Sequence, residues 1–426
     1  MTETDVVVIG AGAAGLAAAQ RLRSAGQSVA VLEARRRIGG RAWTKRFDGD
    51  WWLDLGCGWL HSANENEWAT IASERQLTID HTPPPWGKQT GNIGFAPAEH
   101  REFRAAMARF YANLEQSADS PTDREASLLL EPGGRWNALI NAISSYINGA
   151  ELDKVSTQDF ANYHDTGINW RVVEGYGTLI SSFGDGLDIT LDCPVTAIDH
   201  ADTRLNIITP HGNIRAHAAI VSVPPGIISE GVLRFTPELP DKMAAALALP
   251  LGLADKLFLH LDQPDGLPKD GHLFGAIERS DSASFHLRPF GRPLIEVYFG
   301  GTLAGQLETG GEAAFAAFAI DQLVALLGGD IRRRLRPIAA SAWASDPYAR
   351  GSYSYAKPGH APARAALGAP VDDRLFFAGE ACSIHDFSTA HGAYRTGVRA
   401  AEQVIAVRMQ PTQKRPEMRR TIQNTE

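Results

Sequence analysis

The chain of 426 residues is 44% hydrophobic and carries a formal net charge of −8, enough to bury a large core and more than one core usually holds, so two domains are expected. The modest acidic excess argues against nucleic acid as a partner and is compatible with a cationic small molecule. Cys57, Cys193 and Cys382 stand far apart with no C-x-x-C pair, which suggests neither a disulfide framework nor a zinc site and fits a reduced cytoplasm.

The first apolar run, Val6 to Ile9, begins within about five residues of the N-terminus and leaves no room for a charged region and an apolar signal core. It leads at once into Gly10, Gly12 and Gly15, spaced G-x-G-x-x-G with Ala14 before the third glycine. This predicts a buried strand turning into a helix. The first glycine permits the turn, the second lets a pyrophosphate approach the backbone, and the third lets the helix pack closely on the strand. The anion then rests on free N–H groups at the helix N-terminus. A second apolar run, Val29 to Leu32, ends in Glu33, 18 residues beyond Gly15, where a ribose-binding carboxylate belongs.

The continuation Glu33-Ala34-Arg35-Arg36-Arg37-Ile38-Gly39-Gly40-Arg41 resembles the FAD site of the flavin amine oxidases, whose pattern is E-A-R-x-R-x-G-G-R. The resemblance implies that Glu33 holds the adenosine ribose, that Ala34 and Arg35 lie beside the adenosine, and that Gly40 and Arg41 contact the diphosphate. A second charged clamp suits an extended dianionic cofactor. Arg36 reads as solvated.

Asp54 to His61 (DLGCGWLH) resembles the family segment beside the flavin ring, which places Gly58 and Trp59 there. That segment contains no arginine of the kind that pairs the substrate carboxylate in L-amino-acid oxidases. His61 matches the substrate-side histidine of animal polyamine oxidases, although an isolated histidine is as readily structural. Helical patterns cover Asn64 to Leu77, Ala98 to Ala118 with Phe103, Met107, Phe110 and Leu114 on one face, and Trp136 to Ile147, separated by breaks at Pro83 to Gly87 and at Pro121. Val172 to Leu179, the run Asp188 to Val195 and the strands Leu205 to Thr209 and Ala219 to Val223 return to the family's cofactor pattern, with the backbone of Val195 set against the adenine.

Lys256 lies among Leu251, Leu253, Leu257, Phe258 and Leu259, where a cation needs a partner or a depressed pKa; otherwise it is a strand-edge lysine reaching solvent. By resemblance it binds the water on flavin N5 that assists reoxidation. A strand over Leu294 to Gly300 and a helix over Glu312 to Leu327 follow. Trp343 to Tyr355 resembles the segment turning under the flavin, with Trp343 at the cofactor and Tyr353 as the first aromatic of a cage around the amine. Ser352 stands where some relatives attach flavin through a cysteine, so the FAD is expected to be noncovalent. Gly379 and Glu380 match the strand whose acid binds the ribityl and diphosphate side. Phe387 to Tyr394 (FSTAHGAY) resembles the polyamine oxidase turn at the flavin pyrimidine, which assigns Thr389 and Ala390 to the cofactor. Thr389 also occupies the second cage position, a tyrosine in monoamine oxidases. A final amphipathic helix reaches Val407, and 409–426 reads as a disordered tail.

Together these motifs predict an α/β protein: a Rossmann-type FAD-binding domain (1–80, 172–235, 356–408) and a discontinuous substrate-binding domain of mixed sheet and helices (81–171, 236–355). The resemblance implies oxidation of an amine, by hydride transfer from the carbon beside nitrogen to flavin N5. The imine is hydrolysed and oxygen is reduced to hydrogen peroxide. Lys256, Tyr353, Thr389 and His61 are the candidate catalytic residues. A polyamine or secondary amine is favoured over a monoamine or an L-amino acid. A flavin-dependent desaturase or isomerase and a noncatalytic FAD-binding module are the readings of another class. No metal, nucleic acid or membrane partner is expected.

Overall fold

The computed structural model describes residues 2–47, 51–87 and 89–409; the expected tail lies outside them beyond Met409. Strand β1 (Thr2–Ile9), helix α1 (Ala13–Ser24) and strand β2 (Val29–Leu32) form the opening unit. β1 runs parallel to β2, Val6 opposite Val29, and on its other side parallel to the strand Gly212–Val221. The same long strand takes Leu375–Phe377 in parallel and Leu205–Thr209 in antiparallel pairing, completing a mixed eight-stranded sheet.

Both faces of this sheet are covered, which is why Val6, Val7 and Val8 form an apolar run without alternation. Val6 and Val8 pack with Leu16 and Leu22 of α1 and with Ala400 and Val404 of the C-terminal helix. Val7 and Ile9 pack with Ile198, Ile207 and Val221 on the other side. The C-terminal helix, Ala390–Met409, presses hard on α1: a Cβ on Gly397 would lie 2.1 Å from the Ala14 carbonyl oxygen.

The second sheet has five strands, in the order Gly271–Phe274, Ser284–Leu287, Leu294–Gly300, Ala254–Leu261 and Leu335–Ala340. Where the sequence suggests a mixed sheet, every ladder in it is antiparallel. Its first three strands follow one another through connections without the helical crossover that parallel neighbours need. One face, with Leu257, Leu259, Phe285, Leu287 and Val297, packs on Phe315, Ala319 and Leu323 of the helix Gly311–Leu327. The opposite face looks into a cavity roofed by the helices Pro97–Ser117 and Asn137–Ile147. Phe95, Phe103, Phe110, Trp136 and Phe160 meet Phe274 there in one aromatic cluster.

The expected elements recur with small boundary changes. The helix expected from Asn64 starts at Glu67, because the Asn66 side chain accepts from Trp68 N at 3.0 Å and caps it. The run Asp188 to Val195 yields only the strand Ile189–Thr190, after which the chain turns away at Asp192 with φ +52°. Among the described residues no helix is long and apolar enough to cross a membrane.

Candidate active site

A single cavity of about 1000 Å³ runs from the β1–α1 turn, past the second sheet, to the helical roof. Gly10, Gly12, Ala14, Glu33, Ala34, Arg35, Gly40, Arg41, Gly58, Trp59, His61, Val195, Lys256, Trp343, Tyr353, Gly379, Glu380, Thr389 and Ala390 all line it. Gly15 does not; a Cβ on it would lie 1.9 Å from the Gly10 carbonyl oxygen, so its task is the close approach of helix to strand.

At the β1–α1 end, the buried Glu33 carboxylate accepts from Ala11 N at 2.8 Å and Arg35 N at 2.9 Å, which fixes both oxygens. Arg35 is bidentate to Asp346, at 2.6 and 3.2 Å, and stacks over Tyr348. Gly12 faces Gly40, where φ is +59° and a Cβ would lie 3.2 Å from Gly12 Cα. Gly12 also caps α1 without any side-chain hydrogen bond, which leaves the first N–H groups of the helix for an anion. Arg41 donates to the Ser352 carbonyl at 2.7 Å and to Glu380 at 2.8 Å. Burial raises the pKa of Glu380, but Arg41 and Ser354 outweigh it and hold the carboxyl below its usual range. A long cleft with an uncapped helix end, a fixed carboxylate and an arginine near its middle suits a dinucleotide, and the residues present fit FAD.

Further along, Lys256 Nζ lies 2.9 Å from Glu296 Oε1 and donates to the Asp54 carbonyl at 2.9 Å. Its strand is interior to the sheet, so the lysine is no strand-edge residue. Burial alone would lower its pKa; Glu296, with Tyr298 and Asp54, raises it above the ordinary range. A Cβ on Gly58 would lie 3.1 Å from this ammonium, so the Asp54–His61 segment runs against it at Gly58 as well as at the Asp54 carbonyl. The Trp343 indole N–H donates to the Leu55 carbonyl at 3.0 Å, tying the two segments together.

Tyr353 donates its hydroxyl to the Tyr146 carbonyl, which orients the ring as a wall of the cavity. His61 Nδ1 lies 2.7 Å from Asn169 Oδ1; with that oxygen as acceptor, the ring nitrogen donates and Nε2 is left as acceptor. Burial pushes the His61 pKa down, which favours the neutral ring. Thr389 lines the cavity, but its hydroxyl donates to the Asp386 carbonyl at 2.6 Å and accepts from Gly392 N at 3.0 Å. The bond from Gly392 N caps the C-terminal helix, so the hydroxyl is engaged and Thr389 faces the cavity as part of its wall.

Sequence reasoning did not pick out Glu296, His286, Asn169, Tyr111 or Trp86. The signal for Glu296 was the one used for Lys256, a lone charge inside an apolar strand that requires a buried partner. Asn169 and Trp86 lie in irregular segments, where no periodicity marks a direction.

Fold and cavity define an α/β protein with a dinucleotide-sized cleft and a buried lysine on its wall. Residues 13–405 match the family described as flavin containing amine oxidoreductase, and the chain belongs to it: it is an FAD-dependent amine oxidoreductase. The chain is 31% identical to polyamine oxidase 2 of Arabidopsis thaliana, an alignment spanning 93% of this chain and 87% of that one. It is 29% identical to polyamine oxidase 4 of Oryza sativa subsp. japonica, spanning 94% and 88%. Among solved structures, a double mutant of putrescine oxidase superposes with a TM-score of 0.77 at 22% identity, covering 95% of this chain and 99% of that one.

Proposed function

We propose that this enzyme oxidises a polyamine or a long-chain secondary amine at the carbon beside nitrogen, with oxygen reduced to hydrogen peroxide. The observation that carries this reading is the cavity beyond Lys256. Its walls include Phe103, Met107, Tyr111, Ile143, Tyr353 and Phe274, a long apolar and aromatic arm, with Glu115 and Asp165 also on its lining. An elongated substrate with methylene stretches and a cationic nitrogen matches that lining.

An FAD held by these residues would supply the hydride acceptor. The chain's own residues do the rest by placement. Tyr353 offers an aromatic face to the amine, and neutral His61 offers an acceptor to an N–H. Lys256 holds a water at the ring end. Glu33, Gly40, Arg41 and Glu380 bind the ribose and diphosphates, and Val195 backs the adenine. In this reading residues 1–80, 172–235 and 356–408 hold the cofactor, while 81–171 and 236–355 hold the substrate.

An L-amino acid fits this lining poorly. Arg35, Arg41 and Lys256 are each committed to a carboxylate of the protein, which leaves the substrate carboxylate to the exposed Arg104. An unpaired buried charge costs several kcal/mol. A peroxide assay across polyamines, acetylated polyamines, aromatic amines and L-amino acids tests the proposal, with the highest kcat/KM expected for a polyamine or its acetyl derivative. Efficient turnover of an L-amino acid with no response to spermidine or spermine derivatives would overturn it.

A further inference from the structure

The cavity-facing side of the second sheet carries polar side chains in two adjacent rows. Register sets Lys256 beside Tyr298 and Tyr298 beside Ser284; one row away, Glu296 stands beside His286 and His286 beside His272. The charged members join into a buried chain. Glu296, whose Oε1 meets Lys256, has Oε2 at 3.5 Å from His286 Nδ1. His286 Nε2 lies 3.3 Å from Asp270 Oδ1, and Arg171 Nη2 lies 2.9 Å from that oxygen and 2.6 Å from Asp80 Oδ2. Arg171 is itself clasped between the rings of Trp59 and Phe290. Cation and carboxylate alternate from the cavity wall outward, and Asp80, 19% exposed, is the end nearest solvent.

We propose that Glu296 is a positioning residue for Lys256, and that His286, anchored by Asp270 and Arg171, keeps Glu296 ionised so that the lysine remains an ammonium at the cavity wall across the working pH range. The inference rests on the reading that Lys256 serves flavin reoxidation.

The other groups around Lys256 leave Glu296 as its determining partner. The buried Asp54 carboxyl is pushed upward by burial, against the pull of Lys256. Cys57 is pushed up to about 12 and is neutral; Tyr298 and Tyr353 are raised above their ordinary range and are neutral as well. His61 is lowered. Asp255, next in the strand, bonds Ser341 and the Trp343 N–H on the opposite side. Around His286, burial lowers the ring's pKa but Asp270 and Glu296 raise it, while His272 is lowered to about 3 and is neutral. Glu296 is carried below its usual range by Lys256 and His286 despite its burial.

Without Glu296 the largest influence opposing the burial of Lys256 is gone, and its proton is lost at a lower pH than in wild type. The experiment uses the holoenzyme reduced with dithionite and mixed with oxygen, together with a pH titration of the visible absorbance of the oxidised, bound flavin. Wild-type reoxidation is expected to be flat between about pH 6 and about pH 10, and the spectrum silent, because Lys256 holds its charge throughout. Glu296→Gln should match wild type at the acid end and fall at least about tenfold toward the alkaline end, since each unit of lowered pKa is a factor of ten in the charged fraction. Its absorbance should titrate with the same midpoint.

Glu296→Asp should restore most of the flat profile, and Lys256→Met combined with Glu296→Gln should behave as Lys256→Met alone. A Glu296→Gln enzyme with the wild-type profile and a silent spectrum overturns the proposal. If Glu296→Gln does not fold, His286→Gln decides: Glu296, without its second cation, is expected to take up a proton toward the acid end so that the flavin absorbance titrates there, and a spectrum silent down to about pH 6 refutes the role given to His286. Should Lys256→Met reoxidise like wild type, the catalytic reading of the lysine fails separately, and the spectral titration alone judges the pairing.

Discussion

Arg41 donates to Glu380 at 2.8 Å across 339 residues of sequence, and the same glutamate accepts from Ser354 Oγ at 2.6 Å and Ser388 N at 2.9 Å. One carboxylate thus ties the early glycine-arginine segment to the strand Tyr353–Ser354 and to the turn before the last helix. Glu380→Gln removes the charge and is expected to cost about 3–5 kcal/mol of stability in urea unfolding, as for a broken buried pair. The carboxyl's pKa is lowered from 4.5 in the fold, so its contribution is full above 4.5 and is lost as pH falls through the folded value. The gap between wild type and variant should therefore shrink in acid; a gap that widens there would contradict the assignment.

Glu33→Ala leaves the N–H groups of Ala11 and Arg35 without their acceptor and removes the carboxylate proposed to hold the ribose. FAD affinity should drop by about 1.5–3 kcal/mol, the range for a hydrogen bond to a charged group. Equilibrium titration of apoprotein with FAD measures it, and unchanged affinity would take Glu33 out of the site.

The purified enzyme should release intact FAD on acid precipitation. The family resemblance puts Ser352 where some relatives carry an attaching cysteine, and its hydroxyl is occupied by both the carbonyl and the N–H of Ala254, each at 2.8 Å. Cys57 lines the cavity, but burial pushes its thiol up to about 12, which removes the thiolate needed for attack. Flavin that pellets with the chain would refute this.

Lys256→Met should slow oxygen-dependent reoxidation more than anaerobic reduction by substrate, a separation that stopped-flow traces resolve. Because the variant leaves Glu296 buried without its ammonium, a stability loss of about 3–5 kcal/mol is expected alongside. Equal and wild-type rates in both half-reactions would make Lys256 a structural charge.

Thr389→Tyr tests the second wall of the cage. The new ring should narrow the cavity and move preference toward small monoamines, and loss of the bond from Gly392 N should cost about 1 kcal/mol through the helix cap. A variant with unaltered ratios of kcat/KM between spermidine derivatives and benzylamine would show that this wall does not set selectivity.

Much of the cofactor end was legible because its chemistry is encoded locally: Gly10, Gly12, Gly15 and Glu33 are placed by one strand–turn–helix–strand unit whose spacing is fixed by geometry. The substrate end was not, since it is built by register between distant strands. Glu296 meets Lys256 only because Phe258 pairs with Glu296 and sets Lys256 one row over, which no linear pattern records. Thr389 has two uses in one short motif: it lines the cavity, and its hydroxyl caps the helix it starts, a local use that the sequence S-T-A-H-G also permits.

The close approach of Gly397 to Ala14 joins the two ends of the chain. The opening unit is translated first, yet its helix is covered by the helix Ala390–Met409, and the central strand beside β1 has its other edge filled by Leu375–Phe377. A nascent chain exposing only its first two hundred residues therefore displays a glycine loop with no lid and a sheet with an open edge. A chain halted before residue 390 lacks the helix that covers α1 and is expected to retain no FAD on purification.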